Sequence, residues 1–204
     1  FFAAILSMIF PAVYVAVATW HTSLLPTKLV LSMAEARQGV PFPALGEILL
    51  MEISFELLKE AGIRLPGPMG NTIGIVGGLI IGQAAVDASL VSPIVVIVVA
   101  FTALCSFAIP NEEFASAFRI LKYGCIFMGA WLGLYGVALS GLWVLIHLSH
   151  LNSFGIPYLM PYVAADVNGY EDKKDSLFRF PLKYCVRRPI FARRGERIKL
   201  RKRD

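Results

Sequence analysis

Charge is scarce in this chain of 204 residues: 16% are Asp, Glu, Lys or Arg, and the mean hydropathy is +0.67. A soluble domain of this length needs more charged surface, and a disordered or solenoid chain would not be 57% apolar. Cysteine is nearly as rare. Cys105 and Cys125 sit inside apolar runs and Cys185 near the C-terminus, with no C-x-x-C pair and no histidine at ligand spacing. That excludes a zinc ribbon or a disulfide framework. No G-x-x-x-x-G-K-[ST], H-E-x-x-H or G-x-S-x-G is present, so the expectation is no enzyme, no cofactor and no metal. A start methionine is missing too: Phe1 opens inside an apolar run without a basic flank, which reads as the C-terminal part of a longer protein rather than a signal peptide.

What the sequence does have is long uncharged stretches, the mark of an integral membrane protein. The expected architecture is all-α, a polytopic bundle of about four spanning helices over residues 1–165, with an outer amphipathic helix and a basic cytoplasmic tail over 166–204. Phe1 to Ala18 would be about 27 Å long as a helix, enough to span, and ends in an interfacial Thr19-Trp20-His21. Leu24 to Met33 is too short to cross and reads as an interfacial or re-entrant helix before the Pro41-Phe42-Pro43 stop. Further spans are expected at Asn71 to Leu90, at Ile94 to Ile109 after a Ser92-Pro93 start, and at about Tyr123 to Leu148. The second and third are expected to form a hairpin with a turn of one or two residues. Residues 166–204 carry 13 Lys/Arg against 6 Asp/Glu, whereas residues 1–165 carry 6 against 8. The positive-inside rule then puts the tail in the cytoplasm, against anionic lipid and not nucleic acid, and leaves Arg119 and Lys122 on an outside loop.

Two segments sort by face. Ala44 to Ala61 is helical in pattern and carries Glu47, Glu52, Glu56 and Glu60, with Gly62 expected to cap it and Pro66 to block continuation. At roughly 100° per residue Glu52, Glu56 and Glu60 share an arc of about 80°. Three carboxylates on one face keep a helix out of the bilayer centre. With Arg64, they read either as a partner-docking or vestibule face or as the solvated side of an amphipathic helix. In Asn71 to Leu90, Gly74, Gly78, Gly82 and Ala85 form a packing seam of two overlapping G-x-x-x-G steps. Thr72, Val76, Leu79, Gln83 and Asp87 fall on the other side. That side reads either as the lining of a water-filled path or as polar contacts inside a packed bundle. His147 and His150 read as interfacial residues without a third ligand.

Longer strings carry a resemblance. Pro41-Phe42-Pro43, Met51-Glu52 and Phe55-Glu56-Leu57-Leu58-Lys59-Glu60-Ala61-Gly62-Ile63-Arg64-Leu65-Pro66 are followed by the run from Gly70-Asn71-Thr72 through Gly77-Gly78 and Gly82-Gln83 to Val86. With Ser92-Pro93, Ser153-Phe154-Gly155-Ile156-Pro157-Tyr158 and Arg188-Pro189, they resemble the A subunits of the GerA family of spore germination proteins. One departure is Lys59, where the family pattern leads one to expect Arg. The resemblance implies the membrane domain of a nutrient germinant receptor in the spore inner membrane, its C-terminus on the core side and the family's soluble N-terminal domain absent from this chain. It also implies a homo-oligomeric, nutrient-gated ion channel working with a transporter-like B subunit and a lipoprotein C subunit, and surrounded by membrane lipid. The alternatives are a paralogous sporulation membrane protein and a non-conducting scaffold for the other subunits.

Overall fold

A computed structural model describes residues 2–64, 69–153 and 156–159. The expected tail at 166–204, Cys185, Pro66 and the side chain of Thr72 lie outside the described residues. The chain divides into two compact units, residues 1–141 and 142–204.

The architecture is all-α, with helices α1 (Phe2–Trp20), α2 (Thr27–Ala36), α3 (Ala44–Arg64), α4 (Met69–Asp87), α5 (Pro93–Phe107), α6 (Glu112–Leu132) and α7 (Leu134–His150). A two-residue antiparallel pairing of β1 (Asn152–Ser153) with β2 (Ile156–Pro157) lies in the second unit. In the first unit α1 packs on α6 and α5, and α3 packs on α4. The buried stripe of α1 is Ala4, Ser7, Met8, Pro11, Ala12, Val15 and Ala16, the i, i+3, i+4, i+7 pattern of one helix face. Small residues let α6 come close. A Cβ on Gly129 would lie 2.8 Å from the Ala12 carbonyl oxygen. Ile48, Met51, Val95, Val99 and Ile126 complete the core.

The four expected spans are matched by helices of unequal length. Among the described residues α1 is the one helix long and apolar enough to cross a membrane, while Val76–Asp87, Pro93–Phe107 and Leu134–His150 are shorter apolar helices. The span expected from Tyr123 to Leu148 is divided between α6 and α7 at Gly133, whose φ of +65° disfavours an L side chain. The end of α1 completes that break. Trp20 Nε1 donates to the Ala130 carbonyl at 2.7 Å, satisfying one of the acceptors that a helix C-terminus leaves open, and a Cβ on Gly133 would meet His21.

Three boundaries also differ. Gly62 does not cap α3, which runs on to Arg64. The α4–α5 connection has five residues, not one or two, because α4 closes in a Schellman pattern: Ser89 takes φ +53°, Ser89 N–H donates to the Val86 carbonyl, and Leu90 N–H donates to that of Ala85. Arg119 and Lys122 lie within α6 rather than on a loop. That helix starts at Asn111, where the sequence Asn111-Glu112-Glu113 leads one to expect a cap, and the Asn111 side chain accepts from Phe114 N–H.

Replacing Gly133 with Ala puts a side chain into a left-handed backbone and against His21, at a cost of about 1–2 kcal/mol or more. Thermal unfolding in detergent is expected to show a lowered midpoint for Gly133→Ala and an equal or slightly raised one for Gly141→Ala, where a Cβ inside α7 meets nothing within 4 Å.

Candidate functional site

Three carboxylates of α3 point into the first unit, and each is met by a cation or a backbone N–H. Glu47 is fully buried. Its Oε1 accepts from Arg37 Nε at 3.0 Å, just past the end of α2, and its Oε2 accepts from the Ser92 backbone N–H at 2.8 Å. Glu47 thus sits at the N-terminus of α5, where the helix dipole favours negative charge. Ser92 makes no side-chain cap here; its hydroxyl and that of Tyr14 are buried within this cluster.

One and two turns further on, Glu52 and Glu56 meet α6. Lys122 Nζ donates to Glu52 Oε2 at 2.5 Å and lies 3.8 Å from Glu56 Oε2, while Arg119 Nε lies 2.5 Å from Glu56 Oε1. An i,i+4 acidic pair on α3 thereby faces an i,i+3 basic pair on α6. Glu52 and Lys122 are 3% and 6% exposed, so this is a buried ion-pair network. The expected open ridge of Glu52, Glu56 and Glu60 is corrected accordingly. The arc is real, but its first two members are neutralised inside the chain. Glu60 alone remains outside, in an i,i+4 pair with Arg64 at 2.7 Å. The Arg64 hydrogen bond and charge hold its carboxyl below the usual carboxylate range.

The α4 residues divide as follows. A Cβ on Gly78 would sit 3.0 Å from the Phe55 ring, one on Gly77 2.9 Å from Leu58, and one on Gly82 3.2 Å from Val96. The glycines therefore face α3 and α5, and Ala85 is buried with them. A Cβ on Gly74 would meet nothing within 4 Å. Val76, Leu79, Gln83 and Asp87 are exposed, and Gln83 Nε2 donates to Asp87 Oδ1 at 3.0 Å.

Along the edge where these faces meet lies a cavity of about 540 Å³ between α3, α4, α5 and α6. Gly74, Gly78, Gly82, Leu79 and Gln83 form its α4 wall, with Glu52, Glu56 and Lys122 on other sides. Lys59, on the same wall as Phe55 and Leu58, donates to Ser106 Oγ at 3.0 Å and places its ammonium over the Phe107 ring. The sequence alone does not point to Arg37 or Ser106, and it shows Glu47, Arg119 and Lys122 without bringing them to a site. Signals for two of them were present in the basic pair at 119 and 122, spaced to match Glu52 and Glu56. Among the described residues no group of three His, Cys, Asp or Glu is placed to hold a metal, and His147 stacks on Trp143.

Lys122→Met strands a buried carboxylate and is expected to cost about 3–5 kcal/mol. The double variant with Glu52→Gln should recover part of that loss, whereas Glu60→Gln should leave unfolding in detergent unchanged.

The chain matches the family described as Bacillus/Clostridium GerA spore germination protein over residues 1–191. It is 46% identical over 187 residues to spore germination protein GerLA of Bacillus cereus, covering 92% of this chain and 37% of that protein. Against spore germination protein A1 of Bacillus subtilis (strain 168) the identity is 47% over 186 residues, 89% of this chain and 37% of that protein. It is 44% identical over 197 residues to the uncharacterized membrane protein YfkQ of the same strain, 95% of this chain and 37% of that protein. The chain thus spans a little over a third of the length of these relatives. No solved structure matches it. By the extent of these matches, the chain belongs to the GerA family of spore germination proteins.

Proposed function

We propose that this chain is the membrane part of a germinant-receptor A subunit, and that several copies assemble around a conduit that releases ions when a spore germinates. The α4 face carrying Val76, Leu79, Gln83 and Asp87 lines that conduit, Asp87 as a ring of charge and Val76 or Leu79 as the apolar constriction. Thr72 continues the same register. The observation that carries the reading is the two-sidedness of α4: Gly77, Gly78 and Gly82 face α3 and α5, while Val76, Leu79, Gln83 and Asp87 are exposed, with Gln83 bonded to Asp87. A Gln and an Asp on an otherwise apolar helix require water or polar protein beside them.

A membrane setting is supported by α1 and by large apolar side chains left exposed, among them Leu79, Ile97, Ile120, Trp131 and Tyr135. Large apolar side chains exposed in such number call for lipid or a protein neighbour. On this reading the chain sits in the spore inner membrane with four crossings, its basic tail on the core side, alongside the transporter-like and lipoprotein subunits. A second reading has one observation in its favour: identity to YfkQ, 44%, lies within the range of 42–47% to germination proteins, which a paralogous sporulation membrane protein or non-conducting scaffold would also show.

Flux measurements on proteoliposomes carrying the full receptor separate these. Asp87→Asn is expected to lower cation selectivity, and Val76→Ala to raise leak in the absence of nutrient. Unchanged flux and selectivity in both, in receptors that still assemble, would overturn the channel reading in favour of a scaffold.

A further inference from the structure

We propose that α3 crosses the membrane with its apolar outer face against lipid hydrocarbon, and that α6 and α7 cross separately. The four apolar crossings then become six, and the α4–α5 turn beside Asp87 faces away from the spore core. The inference rests on the membrane setting proposed above, not on ion conduction.

The first argument is the sense of the amphipathic pattern. A helix bathed in water turns its charges outward and its apolar side inward. Along α3 the order is reversed. Glu47 and Glu52 are buried and Glu56 is held by Arg119 and Lys122, whereas Ile53 and Leu57 are 50% and 67% exposed and Ala61 continues their face. Charge inside and apolar surface outside suit a helix whose solvent is hydrocarbon, because a carboxylate paired within protein never meets the lipid. Its 21 residues give a length of about 31 Å, enough for a hydrocarbon core of roughly 30 Å. Glu60 and Arg64, exposed and paired with each other, mark the end that leaves the bilayer.

Contact registers give the direction of each helix. Phe55 lies at Gly78 and Leu58 at Gly77, while Glu52 pairs with Lys122 and Glu56 with Arg119. In both sets one residue number falls as the other rises, so α3 runs antiparallel to α4 and to α6. Similarly α1 runs against α5, with the Phe10 ring 4.9 Å from that of Phe101 and Tyr14 at Ser92. It runs with α6, where Ala12 lies at Gly129 and His21 at Gly133. The start of α7 folds back on α6: a Cβ on Gly129 would lie 3.1 Å from Val137, and one on Gly136 would strike the Met128 carbonyl. Residues eight apart in one straight helix stand about 12 Å apart. Directions therefore alternate without a break through α1, α3, α4, α5, α6 and α7.

Charge agrees with that order. With four crossings, and α3 and the residues before α6's apolar part outside, all six Lys and Arg of residues 1–165 fall on the outer side. Six crossings leave Lys28 and Arg37 there and carry Lys59 and Arg64 to the side of the basic tail, as the positive-inside rule requires. Both ends of the chain stay on the core side in either case. What changes is the end of α4: Asp87 moves to the outer mouth of any conduit.

Cysteine labelling of the full-length protein, on a cysteine-free background in bacterial cells, tests the arrangement with a membrane-impermeant maleimide. Gln38, Ala88 and Ala108 are exposed positions outside the helices. Gln38→Cys and Ala88→Cys are expected to react fully in intact cells, and Ala108→Cys only after permeabilisation. The opposite pattern at 88 and 108 overturns the inference in favour of four crossings with α3 outside. If all three react only after permeabilisation and alkaline carbonate strips the protein from membranes, the membrane setting itself fails. In proteoliposomes, a nitroxide attached at Leu57→Cys is expected to be relaxed by oxygen, which enters hydrocarbon, and not by a water-soluble nickel chelate. Relaxation by the chelate places that face in water, and shielding from both places it against a second copy; either result overturns the lipid assignment.

Discussion

The organisation of the first unit depends on neutralising the carboxylates of α3. Glu47, Glu52 and Glu56 enter a helical bundle whose other contacts are apolar, and an unpaired buried carboxylate is costly enough to forbid most arrangements. The solutions lie far away in sequence: Arg37 and the N-terminus of α5 for Glu47, Lys122 for Glu52, Arg119 for Glu56. These pairings set the rotation of α3 about its axis, since turning it would strand several charges at once. Such pairs add little net stability over an apolar replacement. Their effect is to make the alternatives worse.

Steric room is the second organising element. The small residues of α1 admit α6, and the glycines of α4 admit Phe55 and Leu58 from α3 and Val96 from α5. The long Glu and Lys or Arg side chains hold α3 and α6 apart where the glycines draw α3 and α4 together. The cavity is the consequence: one wall is at the distance of a glycine contact, another at the distance of an extended ion pair. Lys59 and Ser106 finish it with a polar corner in apolar surroundings.

Much of this could be read from the residues in order, and the failures share a cause. Helix periodicity located α1, α3 and the start of α5, and the Glu52/Glu56/Glu60 arc and the glycine seam of α4 follow from helical geometry alone. Lys122 and Arg119 were misassigned to a loop because hydropathy treats a basic pair as the end of a span. Their i,i+3 spacing has meaning only once α6 lies beside Glu52 and Glu56. Gly133 was likewise passed over inside an apolar run, where it looks like one more tolerated glycine until Trp20 and His21 are seen against it.

By itself the sequence determined the all-helical class, the scarcity of charge, the family and which residues of α3 and α4 share a face, because these depend on composition and on a helical repeat that every residue carries locally. The tertiary structure alone decided which carboxylates are neutralised and by whom, where the last apolar run breaks, and that a cavity opens along one edge of α4. Those outcomes turn on distances between groups separated by tens of residues, and no periodicity along one helix records which neighbour its charged face will meet.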